Sequence, residues 1–155
     1  MAFAELITRM TQAACDGDGD AVAACFTPDG VYHDVFYGPF QGTDIARMIT
    51  DYFHRDAENF RWDVHHPVSD GKTGMARYVF SFDSKLKGCE GKRAIFEGVA
   101  ICALSDGLIQ NYTEVADSMT GQNMMGFSDE KMLRFIDRQT KALSSREEAE
   151  GHLPG

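Results

Sequence analysis

Positive charge is what this chain has least of. Lys and Arg number 15 against 24 Asp and Glu, a net charge of −9 over 155 residues, and the bases are scattered along the chain. Nucleic acids and anionic membrane surfaces are bound through a concentrated basic footprint, so neither is an expected partner. No apolar run approaches the ~20 residues that a bilayer span requires. The N-terminal MAFAELITRMTQAACDGD carries Glu5 and Arg9 inside its apolar pattern, which marks an amphipathic helix and not a signal peptide. Cys15, Cys25, Cys89 and Cys102 show no CxxC spacing, and without a secretion signal they read as reduced thiols of a cytoplasmic protein. Five scattered histidines make no HxxxH or HxH pair, so no metal site is expected. GxSxG, Walker A, GxGxxG and Cys-centred motifs are all missing, and no cofactor is expected either.

What the chain does have is a length suited to one domain and a surplus of large apolar side chains. Eleven Phe, five Tyr and eight Met exceed what a minimal core of this size demands. They fit either a core built of bulky groups or an apolar pocket for a small apolar or aromatic molecule.

The pattern along the chain predicts its elements. Phe3, Leu6, Ile7, Met10, Ala13 and Ala14 recur at helical spacing, giving a helix over 2–16 that Gly17 ends. A second short helix capped by Asp18 or Asp20 is expected through about Phe26, then a type I turn at Thr27-Pro28-Asp29-Gly30 and a strand over 31–36 broken by Gly38-Pro39. Thr43 can cap a helix with the stripe Ile45, Met48, Ile49, Tyr52 and Phe53. From Phe60 the period falls to 2, predicting strands over 60–68, 73–84, 93–104 and 108–116, the last two joined by a Ser105-Asp106-Gly107 hairpin. Ser128 caps a last helix carrying Met132, Phe135, Ile136 and Leu143. Residues 144–155 lack apolar periodicity and read as a disordered tail beyond a single domain over 1–143. This order calls for an α+β fold with helices on one face of a curved, mostly antiparallel sheet. The other sheet face, with Val79, Val99 and Ile101, invites a homodimer.

Candidate site residues follow from which side chains share a face. Tyr32 and Asp34 point the same way at the end of a strand, whereas His33 points away. A carboxylate facing an apolar cavity has a raised pKa and suits proton transfer; the alternative is a strand-end Asp that satisfies backbone donors. Tyr112 and Glu114 share a face of the last strand, so Glu114 and Asp34 could form an acid and base pair; a solvated Glu114 is the alternative. Tyr78, Phe80 and Phe82 line one face of their strand, Cys102 lies inward with Gly98 and Ala100, and His66 shares a face with Trp62 and Val64.

Residues 26–54, FTPDGVYHDVFYGPFQGTDIARMITDYFH, resemble the segment after the second helix in the nuclear transport factor 2-like superfamily, and the resemblance extends over roughly residues 2–143. That superfamily includes ketosteroid isomerases, SnoaL-like polyketide cyclases, scytalone dehydratases and limonene epoxide hydrolases. The resemblance implies a conical barrel with a cystatin-like topology, its sheet wrapped around helices. It implies a cofactor-independent isomerase, cyclase, dehydratase or epoxide hydrolase, or else a non-catalytic ligand-binding or dimerisation module. Asp34 matches the proton-shuttling aspartate of the isomerases; Tyr32 and Asp34 match the Tyr and Asn that hold water in the epoxide hydrolases, and Glu114 their acidic residue. Dehydratase histidines suggest the same work for His66. The chain departs from these patterns at Met10 and Ala100, where the isomerases place oxyanion donors, and at Gly98 and Ala100, where the epoxide hydrolases carry Arg and Asp.

Overall fold

Buried and exposed residues alternate along the central strands, as period-2 geometry demands. In β4 (Thr73–Ser84) the residues Ala76, Tyr78, Phe80 and Phe82 are buried, and in β5 (Arg93–Ser105) Ala94, Phe96, Gly98, Ala100 and Cys102 are. The structure, a computed structural model, describes residues 2–154. With β1 (Phe26–Asp34), β2 (Gly38–Gln41), β3 (Ala57–Ser69) and β6 (Leu108–Asp117), these strands make one six-stranded sheet in the order β2-β1-β6-β5-β4-β3. The β1–β6 pair is parallel and every other pair antiparallel. The class is α+β, as the sequence indicates, but the curved sheet does not close: β2 and β3 end the order without pairing to each other.

Helix α1 (Phe3–Asp16) buries Phe3, Leu6, Ile7 and Met10 and packs against β3. Gly17, at φ 76°, ends it in a left-handed cap, and the Asp18 N–H reaches back to the Ala13 carbonyl at 3.0 Å. The Asp18 carboxylate then caps α2 (Gly19–Ala23), accepting from the Ala21 N–H at 2.9 Å. The next helix opens as α3 (Asp44–Arg47), widens to a π-helical stretch over Met48–Phe53, and closes as α4 (His54–Asp56). The Tyr52 ring packs on Tyr37 and Phe40, and the Phe53 ring stacks on Phe60 and Trp62.

Four departures from the sequence reading have local causes. The segment Thr27-Pro28-Asp29-Gly30 is part of β1, because a register irregularity against β6 between Phe26 and Val31 accommodates the proline within the strand. Gly38-Pro39 opens the edge strand β2, where a residue without an N–H is tolerated. Helix α5 (Met119–Met124), MTGQNM, is too short and polar to show a helical period. In β3, Asn59 and His66 adopt φ of 53° and 51° at two register shifts, which breaks strict alternation.

The chain divides after Met125 into two compact units. The first holds the sheet and α1–α5. The second holds α6 (Asp129–Ser144), whose Ser128 cap accepts from the Lys131 N–H at 3.2 Å, and a 3₁₀ turn at Glu147–Ala149. Among the described residues no helix is long and apolar enough to cross a membrane.

Candidate functional site

The parallel register of β1 and β6 sets Tyr32 beside Tyr112, with rings stacked at 4.4 Å. Two residues further along each strand stand Asp34 and Glu114, returned by the period of 2 to the same face. The Glu114 carboxylate is the hub. Its Oε2 accepts from the Tyr78 hydroxyl at 2.6 Å and the Tyr112 hydroxyl at 3.1 Å, and the Val35 N–H also donates to it. Burial pushes the Glu114 carboxyl up to about 7; the Asp34 charge adds to this, and the three donors oppose it. Burial likewise lifts Asp34 to about 6, against two backbone donors. The Tyr78 and Tyr112 phenols are raised by burial and by the Glu114 charge. A carboxyl with a midpoint near 7, gripped by two hydroxyls, can hold or release a proton at neutral pH.

Asp34 has a structural task as well. Its Oδ1 accepts from the Phe36 and Tyr37 N–H groups at 2.8 and 3.0 Å, closing the turn into β2. The Tyr37 hydroxyl then donates to Asp56 at 2.7 Å, fixing that turn to α4. The alternative reading of a strand-end aspartate satisfying backbone donors is therefore what Oδ1 does.

Beside the tyrosines lies a narrow cavity, nowhere wide enough to seat a water molecule. Ile7, Val64, Ala76 and Ala100 form its apolar wall; Thr11, Trp62, Tyr78 and Tyr112 bring the polar groups. The phenols stand in that wall, and Glu114 joins them through their hydroxyls. A second, larger depression lies over α1 and α2. It is wide open and its polar residues, such as Glu5, Arg9 and Asp16, are exposed.

Of the residues singled out by the sequence, Tyr32, Asp34, Glu114, Tyr78 and Tyr112 come together, and Trp62 joins Tyr78 and Tyr112 at the cavity. Phe80 and Phe82 lie in the aromatic cluster next to it, with Phe80 edge-on to Trp62 at 5.0 Å. Cys102 is fully buried, its thiol pushed up to about 12 by burial, and it is not among the groups forming the cavity wall. The expected grouping of His66 with Trp62 and Val64 does not hold. The register shift between His65 and Val68 rotates His66 outward, and it is exposed.

Sequence reading passed over Thr11 and Ile7, whose helical stripe gives no sign of a cavity, and it missed the role of Gly98. Gly98 pairs directly with Tyr78 across β4 and β5. A Cβ there would sit 2.5 Å from the Tyr78 hydroxyl and 2.9 Å from the Val115 carbonyl oxygen. The absence of a side chain is what lets Tyr78 reach Glu114. Gly98→Ala is expected to cost ~1–3 kcal/mol by overpacking, measured by denaturant unfolding. A Gly98→Ala variant as stable as the parent would contradict this account of the glycine.

A SnoaL-like domain model matches residues 7–112. Comparison with curated proteins gives no match. Among solved structures, a ketosteroid isomerase-like protein from Catenulispora acidiphila in complex with trimethylamine superposes with a TM-score of 0.70 at 15% identity, covering 80% of this chain and 94% of that one. IdmH, a putative polyketide cyclase from Streptomyces antibioticus, gives 0.65 at 17% identity, with 80% and 98% covered. An LEH-like epoxide hydrolase from M. tuberculosis gives 0.63 at 16% identity, with 89% and 94% covered. At these identities the structures speak for the fold, and the domain match speaks for the family. The chain is a member of the SnoaL-like domain family with a nuclear transport factor 2-like fold.

Proposed function

We propose that this protein binds a small, largely apolar molecule at the Trp62–Tyr78–Tyr112 cavity and moves a proton on it without a cofactor. The observation that carries this is Glu114, a half-buried carboxyl lifted to about 7 and tied by hydrogen bonds to two cavity-wall phenols. As the Tyr78 oxygen takes a proton from the ligand, its own proton passes to Glu114 Oε2; the reverse step returns it. Asp34 fixes the adjoining turn, and its charge raises the affinity of the Glu114 carboxylate for that proton. The gap does not seat even a water, so a ligand enters only by displacing the rings around it. Hydrolysis would need room for a water too. The reading therefore favours isomerase or cyclase chemistry over that of an epoxide hydrolase. Exchange of ligand hydrogens in heavy water, followed by NMR, tests it: the parent should catalyse exchange that Glu114→Gln loses.

The engaged Oδ1 of Asp34 favours a second reading, a binding module in which both carboxylates serve only to hold the wall. Binding without any hydrogen exchange would establish that reading.

Assembly is a separate proposal. The outer sheet face exposes Met75, Ile95, Val99 and Val115, the last at 66%, around an Arg77–Glu97 ion pair of 2.6 Å. An apolar strip of this kind suits a two-fold copy of itself. Sedimentation should give a dimer at micromolar concentration that Val115→Glu dissociates, and a monomeric parent would refute it.

A further inference from the structure

The turn over 35–37, between β1 and β2, touches the candidate site on one side and a surface helix on the other. On the inner side the Val35 N–H donates to Glu114. The Phe36 ring stands edge-on to Phe96 at 6.1 Å, and Phe96 stands edge-on to Tyr78 at 6.4 Å. On the outer side the Tyr37 hydroxyl donates to Asp56 Oδ2 at 2.7 Å, across 19 positions of sequence, and the Tyr37 ring packs on Tyr52 at 5.4 Å. Asp56 is itself held. Arg55 donates to both its carboxylate oxygens, at 2.7 and 2.8 Å, and lies over the Tyr52 ring, while the Asp56 carbonyl accepts from the Lys85 N–H at 2.8 Å. Protonation is settled at both ends of the Tyr37–Asp56 bond. The bonds from Arg55 hold the Asp56 carboxyl below its ordinary range, and burial together with the bond to Asp56 pushes the Tyr37 phenol up. The phenol therefore donates and the carboxylate accepts.

We infer that Tyr37 and Asp56 are positioning residues for Glu114: their hydrogen bond braces the turn against α4, and the braced turn holds the Val35 N–H on the Glu114 carboxylate. The inference rests on Glu114 being the proton-holding group, as proposed above, and adds what tunes it. An N–H···O bond weakens steeply with distance and angle, so a backbone donor on a short turn serves a carboxylate only while the turn is fixed. Asp34 fixes this turn from within, through the Phe36 and Tyr37 N–H groups, and the Tyr37 hydroxyl fixes it from without. The titratable groups coupled to the Glu114 charge are Tyr78 from β4, Cys102 from β5, Tyr112 on its own strand, and Tyr32 and Asp34 from β1. Tyr37 is neutral, so losing its hydroxyl changes no charge near them and acts on Glu114 through the placement of the turn. The sign follows: the Val35 donor favours the ionised carboxylate, so a slacker turn makes Glu114 a weaker acid.

The Glu114 carboxyl and the Val35 amide proton can be followed together by NMR from acid to alkaline pH, with no ligand added. In the parent both should titrate with one midpoint, close to 7. Tyr37→Phe is expected to raise that midpoint by about 0.5 pH unit, or roughly threefold in acid strength, the scale of losing part of one charge-assisted hydrogen bond. The Val35 response should shrink at the same time. Asp56→Ala should act alike, and the double variant should go no further than either. Asp56→Asn keeps a side-chain oxygen for Tyr37 and should stay with the parent. Phe3→Leu, buried at the start of α1, is the control for lost stability alone and should leave the midpoint in place. If the parent titrates near 7 and Tyr37→Phe leaves it there or lowers it, the brace is wrong and the account of Glu114 stands. If Phe3→Leu moves the midpoint as far as Tyr37→Phe does, the effect is general loosening and the inference falls. A parent midpoint near 4.5 removes the reading of Glu114 itself, and the inference with it. Should Asp56→Ala not fold, the contrast between Tyr37→Phe and Asp56→Asn decides by the same criteria.

Discussion

Between about pH 4.5 and pH 7 the folded protein is expected to become less stable as pH rises, by on the order of 3 kcal/mol from Glu114 alone. The sign follows from the direction of the shift. Burial raises the Glu114 carboxyl from 4.5 to about 7, so across that window the folded chain holds a proton that the unfolded chain has released. The stabilisation is complete below 4.5 and is lost as pH climbs through 7. Asp34, lifted from 3.8 to about 6, contributes in the same direction over an overlapping range. Asp56 acts the opposite way because its ion pair with Arg55 lowers it, but its window lies below 3.8 and does not cancel the effect. Denaturant midpoints measured across this range should therefore fall towards neutral pH, and Glu114→Gln should flatten the slope. A parent chain that gains stability steadily from pH 4.5 to 7 would contradict the buried-acid account.

The largest kinetic effect is expected at the same residue. With a turned-over substrate in hand, Glu114→Gln should lower kcat by ~10²–10⁴-fold, the range for loss of a positioned acid or base. Tyr78→Phe should approach it, since the phenol passes the proton on. Asp34→Asn should cost much less, because an Asn side-chain oxygen can still accept from Phe36 and Tyr37 and so keep the turn. The order of these three effects separates relay from scaffold. If Asp34→Asn were the most damaging, Asp34 would be the proton carrier and Glu114 its neighbour. If all three retained near-parent turnover, the cavity would be a binding site in which the carboxylates do no chemistry.

How much of this was readable from the chain depends on which force set each feature. Period-2 patterning made the inner faces of β4 and β5 legible, and with them the positions of Tyr78, Phe80, Phe82 and Cys102. The pairing of Asp34 with Glu114 was also within reach, since each shares a face with a tyrosine one period away. What alternation cannot reveal is where it stops. His66 fails because a bulge at a positive φ inserts an extra residue, and nothing in VHHPV encodes that beyond the proline. Gly98 looked like a missing catalytic residue when it is the space that lets a phenol cross to its carboxylate. That role is invisible until the cross-strand register is known. The indole of Trp62 was expected as lining, but that its N–H has no partner among the described residues depends on where every neighbouring hydrogen goes, which is a property of the folded site.

The central claim is that Glu114 is a half-buried acid poised near neutrality by its place between Tyr78 and Tyr112. Isotope-edited NMR of the Glu114 side-chain carboxyl, followed from pH 4 to pH 9, tests it without a substrate. The account predicts a midpoint close to 7, moving when Tyr78 is changed to Phe. A midpoint near the 4.5 of an ordinary glutamate, unmoved by Tyr78→Phe, would mean that the carboxylate is solvated and that the site has no proton store at all.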